Sequence, residues 1–231
     1  MISIYRTNHH YLVEANVRSS SVVIDVRYYK SNPWSCLSPF FKWGDVPIRF
    51  SAPDTAISIA SMIEGLRVNQ YNESDTNLFH SLNFSDYLES ERIKESNGFL
   101  RGIGSHVILS PEEAQKELLY PTYRWVLDHK LNNLINTIRA AESYQDVVIL
   151  DYLKDKRGME LYAGDISIGY LLKAYIEGST PYEDVFEYKE EYIYITDYKR
   201  KSGYKIIRTK IPREIQALNT SDNQQIEIPF W

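Results

Sequence analysis

Glu64 and Arg67 stand three positions apart, a spacing that sets a carboxylate beside a guanidinium on one helical face. Ala56, Ile59, Ile63 and Leu66 recur at helical spacing around them. The pair therefore lies at the edge of a buried stripe, either as a surface ion pair or as charges turned into a cleft. Three further carboxylates occupy positions suited to chemistry. Asp25 is set among β-branched residues in Ser21–Tyr29, Asp151 closes the apolar run Asp146–Tyr152, and Asp165 stands with Ser167 just ahead of Ile168–Glu177. Such groups move protons or stabilise a developing cation.

Arg67 and Arg101 have the charge to hold phosphate. Phe40, Trp43 and Tyr120 are rings of the kind that sandwich a base, and equally of the kind that fill a core. A basic cluster near the end of the chain, Lys199, Arg200, Lys201, Lys205 and Arg208 with Tyr198 and Tyr204 interleaved, combines phosphate neutralisation with stacking. Its plainer reading is a solvated hairpin whose charges compensate an acidic protein.

Other chemistries lack their signatures. His9, His10, His80, His106 and His129 show no paired ligand spacing, and one cysteine builds no zinc cluster, so no metal and no cofactor is expected. No Gly-x-Ser-x-Gly elbow or phosphate loop is present, and Gly98, Gly102 and Gly104 lack the dinucleotide-binding spacing. Cys36, in an aromatic loop, reads as a small packed side chain.

The 231 residues are 43% hydrophobic, 13% aromatic and 25% charged, a composition that folds without disulfides and excludes a disordered or fibrous chain. A formal charge of -5 places any nucleic-acid contact in a local patch. The lone cysteine points to a reducing compartment, and the cytoplasm is the expected location. The first residues lack a basic segment followed by an apolar core, and no later run reaches the ~20 apolar residues of a membrane helix.

The elements that must position these residues follow from periodicity. Strands are expected over 21–29 and 146–152. Between them come a ring-rich loop over 33–47, a helix starting at Asp54 or Thr55, a flexible loop at 98–104, and a helix entered by the capping box Ser110-Pro111-Glu112-Glu113 and running to Leu119. A longer helix opens at Pro121 and continues to Ala141, and a last one spans Ile168–Glu177, stopped by Gly178. Residues 191–196 and 204–212 alternate as a hairpin. The expectation is one α+β domain over 1–231, with a predominantly helical core in 1–190, a few short strands, and a basic C-terminal β-hairpin and tail in 191–231.

The segments Leu37-Ser38-Pro39-Phe40 and Ile57–Val68 resemble the NADAR (YbiA-like) superfamily, which couples a Ser-Asn-Phe-like turn to a helix reading roughly Ser-Val-Glu-His-x-x-Gln-Ala-x-Lys-Phe. Tyr120–Trp125 and the strand ending at Asp151 add to the similarity. The resemblance implies hydrolysis of N-glycosidic bonds to ribose, including removal of ADP-ribose from nucleobases. By position it matches Ser58 to the motif serine, Glu64 to the glutamine and Arg67 to the lysine, and it places Ala60 where the superfamily has its functional glutamate. With that reaction in view, Glu64, Asp151 and Asp165 are the expected catalytic carboxylates. Phe40, Trp43, Ser58, Arg67, Arg101 and Tyr120 are the expected substrate contacts. The substrate class is an ADP-ribosylated base or a modified DNA base excised as a glycosylase would. The alternative is a non-catalytic protein that binds a nucleotide or a protein partner in host–virus conflict, which the alanine at 60 favours.

Overall fold

The computed structural model describes residues 1–6, 21–27, 34–81, 96–152, 160–163, 166–179, 181 and 193–194. Both helices and strands are present, as an α+β chain requires. Among the described residues the main sheet is wholly parallel. Strands β1 (Ile2–Arg6), β2 (Val22–Asp25), β8 (Val147–Asp151) and β9 (Ile193–Tyr194) lie in the order β2-β8-β1-β9. β8 reads as a continuous apolar run and is buried along its whole length, the signature of a central parallel strand covered on both faces. Helices α5 (Asn132–Glu142) and α7 (Ile168–Glu177) pack on this sheet.

Side chains alternate across the pleat, which sorts the strand residues onto two faces. Ile2, Ile4, Ile24, Val147 and Ile149 enter the large core, whereas Val23, Val148 and Leu150 form a separate small cluster with Tyr5 on the other face. Arg6 and Asp151 follow the first set in this alternation and Asp25 follows the second.

A fully buried helix, α1 (Ile59–Leu66), forms the centre of the rest. It packs against α2 (Leu78–Ser81), the hairpin of β3 (Val46–Pro47) with β4 (Thr55–Ala56), and the antiparallel set β5 (Arg67–Val68), β6 (Gly98–Leu100) and β7 (Ile108–Leu109). Gly65 permits the α1–α2 contact, because a Cβ there would stand 2.1 Å from the Phe79 ring.

Several expectations are corrected. The helix does not start at Asp54 or Thr55: Thr55–Ala56 pair with Val46–Pro47, and Ser58 caps α1 by accepting from the Ser61 N–H at 2.9 Å. Residues 98–104 are not a loop throughout, since Gly98–Leu100 is the middle strand between β5 and β7. The expected helix from Pro121 to Ala141 is broken at Lys130–Leu131, where Leu131 leaves the helical region at φ −123° and ψ 11°. Toward its N-terminus the helix instead extends without interruption. The capping box at Ser110 and Glu113 starts α3 (Pro111–Ala114), a π-helical turn follows at Gln115–Leu119, and α4 (Tyr120–His129) continues it. Pro121 has no N–H to give to an α-helical turn, and the widened turn accommodates it. α7, capped by Ser167 and ended by left-handed Gly178, forms as its sequence dictates.

Of the expected C-terminal hairpin, only Ile193–Tyr194 is described, and it extends the main sheet in parallel beside β1. The partner segment 204–212 and the basic cluster lie outside the described residues. No helix among the described residues is long and apolar enough to cross a membrane.

Candidate functional site at the carboxyl edge of the parallel sheet

In open parallel sheets the strands' carboxyl ends form the usual ligand crevice. Here β1 ends in Arg6 and β8 in Asp151, paired in register across the ladder. Both side chains are withdrawn from solvent, Arg6 at 1% exposure and Asp151 at 0%. Asp151 accepts from the N–H of Tyr152 at 2.8 Å and from the N–H of Gly169, in the first turn of α7, at 3.0 Å. The close approach of α7 depends on Gly169, whose Cβ would meet Asp151 Oδ2 at 2.6 Å. Burial pushes the Asp151 carboxyl up to about 6, against the opposing pull of the Ser167 hydroxyl, the two backbone N–H groups and the Arg6 charge. A carboxyl near 6 exchanges its proton close to neutral pH, as a general acid or base must.

The aromatic turn converges on this edge. Ser38 Oγ meets the Tyr152 hydroxyl at 3.2 Å, and the Phe40 ring lies 6.5 Å from that of Tyr152 and 5.1 Å from that of Tyr162, which belongs to α6 (Glu160–Ala163). The Pro39 carbonyl receives the Ala60 N–H at 2.9 Å, joining the same turn to α1. Tyr123 donates to the Leu37 carbonyl at 2.9 Å. Its hydroxyl is held far above the usual phenol range, first by burial and then by the Asp151 charge. Gln115, in the π-helical turn, donates to the carbonyls of Leu161 at 2.8 Å and Ile166 at 2.5 Å, tying that turn to α6 and to the residues ahead of α7.

The expected site residues divide into groups. Asp151 is at the edge, and Phe40 is beside it as a buried core ring. Glu64 and Arg67 form a bidentate pair, Nε to Oε2 at 2.6 Å and Nη2 to Oε1 at 2.9 Å, with the guanidinium 4.6 Å above the Phe99 ring. This pair is buried, so the surface reading of its spacing does not hold. Ser58 is engaged as the α1 cap, with its hydroxyl also 2.8 Å from that of Ser61. Trp43 is half-buried against Phe41 and Tyr120 packs on the core at the start of α4. Arg101 is on the surface, bonded to Glu117. Asp25 grips Arg27 through 2.8 and 2.7 Å bonds on the face of the sheet away from Asp151. Asp165 lies outside the described residues, as do Lys199, Arg200, Lys201, Lys205 and Arg208. Burial pushes the Cys36 thiol up to about 12, which keeps it protonated and unsuited to nucleophilic attack.

Arg6, Tyr123, Tyr152 and Gly169 escaped the sequence reading. For Arg6 the signal is a charge closing a strand, as Asp151 closes Val147–Asp151, and it acquires meaning only when the two strands are neighbours.

Together these features define a protein with a small parallel sheet whose carboxyl edge joins a buried acid, a buried arginine, a helix N-terminus and an aromatic turn. The chain belongs to the Family of unknown function (DUF6939), which matches residues 5–162 and so includes Arg6, Phe40, Glu64, Arg67 and Asp151. No curated protein and no solved structure matches it.

Proposed function

We propose that the protein hydrolyses an N-glycosidic bond to the sugar of a modified nucleotide or nucleic-acid base, at the carboxyl edge of the parallel sheet. The observation that supports this reading is Asp151, a fully buried carboxyl held near 6 beside a buried arginine. As the C1′–N bond breaks, positive charge grows on the sugar, and a carboxylate is the group that stabilises it and activates water. Water adds its oxygen to C1′ and gives a proton to Asp151, which passes it to the departing base nitrogen. Arg6 offers its charge to the phosphate of an ADP-ribosyl or nucleotide substrate. Mass spectrometry of products released from ADP-ribosylated DNA and from base-modified DNA tests the reading: free ADP-ribose or free base supports it, and intact substrate with folded protein contradicts it.

A second reading, non-catalytic binding of a nucleotide or protein partner, draws on Ala60. That position is fully buried and carries no carboxylate, although the resembled superfamily places its functional glutamate there. Calorimetric binding of ADP-ribose without its consumption would favour this reading.

A further inference from the structure

Phe50 is 53% exposed, yet its backbone sits at φ 57°, in the left-handed region that a bulky side chain rarely enters. The turn that holds it is closely tied. Ile48 donates its N–H to Asp54, Ser51 to Ile48 and Asp54 to Ser51, while Ser51 Oγ receives the Ile103 N–H at 2.7 Å and bonds the Arg49 carbonyl. Gly102 lets the 101–103 turn close on it, since a Cβ there would stand 3.1 Å from the Phe50 carbonyl oxygen. Such a strained, fixed ring in water is the pattern of a contact residue.

Two guanidiniums frame it. The Arg49 carbon Cζ is 4.9 Å and that of Arg101 4.5 Å from the Phe50 ring centroid. Glu117 fixes Arg101 through Nε at 2.9 Å, and Arg49 Nε is buried without a hydrogen-bond partner. Ile48 and Ile103, close to this rim along the chain, line a cleft of about 720 Å³ between the 48–55 turn and α2, with Phe79 as further apolar surface and Asp54, Asn77 and His80 as polar groups.

We propose that this rim and cleft bind single-stranded nucleic acid, with phosphates on Arg49 and Arg101 and bases stacked on the guanidinium–Phe50 layer or entering the cleft. Two guanidiniums over an exposed aromatic ring, beside an open cleft, suit a strand better than an acidic peptide, which offers the charge but not the rings. The site is separate from Asp151 and does not depend on the hydrolytic reading.

The test is fluorescence anisotropy of the full chain with a labelled 12-nucleotide DNA strand of mixed sequence. Arg49→Gln with Arg101→Gln should weaken binding about tenfold or more and flatten the log–log salt slope by about 1.4. Phe50→Gly should weaken it by about tenfold while leaving the melting temperature unchanged or higher, because glycine adopts that backbone freely. No binding by the parent, or equal binding by the Arg49/Arg101 and Phe50 variants, overturns the proposal. Hexaglutamate displacing the strand equally well would overturn it in favour of a protein partner. Strand binding absent while product still forms refutes this site alone, whereas strand binding present without product refutes hydrolysis alone.

Discussion

Arg6 and Asp151 end neighbouring parallel strands in register, and neither side chain reaches solvent. A buried acid opposite a buried base on the edge where α/β sheets take their ligands is the arrangement from which the functional reading grows.

The Asp151 carboxyl makes stability pH-dependent with a definite sign. Its ordinary value is 3.8 and its folded value about 6, so between these values the native state holds more protons than the unfolded one. Its contribution is fully present below the unfolded value and is lost as pH rises through the folded one. The stability of the parent relative to Asp151→Asn should therefore fall by roughly 3 kcal/mol between pH 3.5 and 7. Urea titrations of both proteins across that range measure it, and a difference that stays flat with pH would show that the carboxyl is not shifted.

Glu64→Gln tests whether the α1 pair supports the fold. The change leaves the buried Arg67 guanidinium without its bidentate carboxylate. The expected loss is about 3–5 kcal/mol, with much of it recovered when Glu64→Leu and Arg67→Met are combined. Chemical denaturation of the parent and these two variants decides it; an unaltered midpoint in Glu64→Gln would mean that the pair carries no such weight.

Gly65 and Phe79 should behave as one unit. Gly65→Ala drives a methyl into the Phe79 ring and should cost roughly 1–3 kcal/mol, part of which Phe79→Leu returns by giving the methyl room. Thermal melts of the single and double variants read the coupling, and strictly additive losses would deny it.

Cys36 should resist thiol reagents. With its thiol held near 12, labelling at pH 8 should be slow in the folded protein and fast in urea. Rapid labelling of the native state would show a thiol less buried than the structure has it.

What the sequence revealed was mostly local. The box at Ser110 and Glu113, the Ser167 cap with its Gly178 stop, and the apolar strand ending at Asp151 depend on residues a few positions apart, so their spacing suffices. The pairing of Ile2–Arg6 with Val147–Asp151 is set by packing across most of the chain, and no local pattern specifies it. The same limit explains Thr55–Ala56, which could begin a helix until Val46–Pro47 pairs with it. It also explains Phe40, a loop residue whose ring turns inward onto Tyr152 and Tyr162. Of the expected catalytic carboxylates, Asp151 could be recognised because it ends a strand; the bidentate burial of Glu64 against Arg67 could not, because their spacing is equally that of a surface pair.

The most direct measurement is the release of free base or ADP-ribose from ADP-ribosylated and base-modified DNA, followed by mass spectrometry for the parent and Asp151→Asn, each shown to be folded at the assay temperature. The account predicts product from the parent and a loss of at least a hundredfold in the variant, as expected when a general acid–base group is removed. Equal release by both would contradict the role of Asp151, and no release by the folded parent would contradict hydrolysis at this edge.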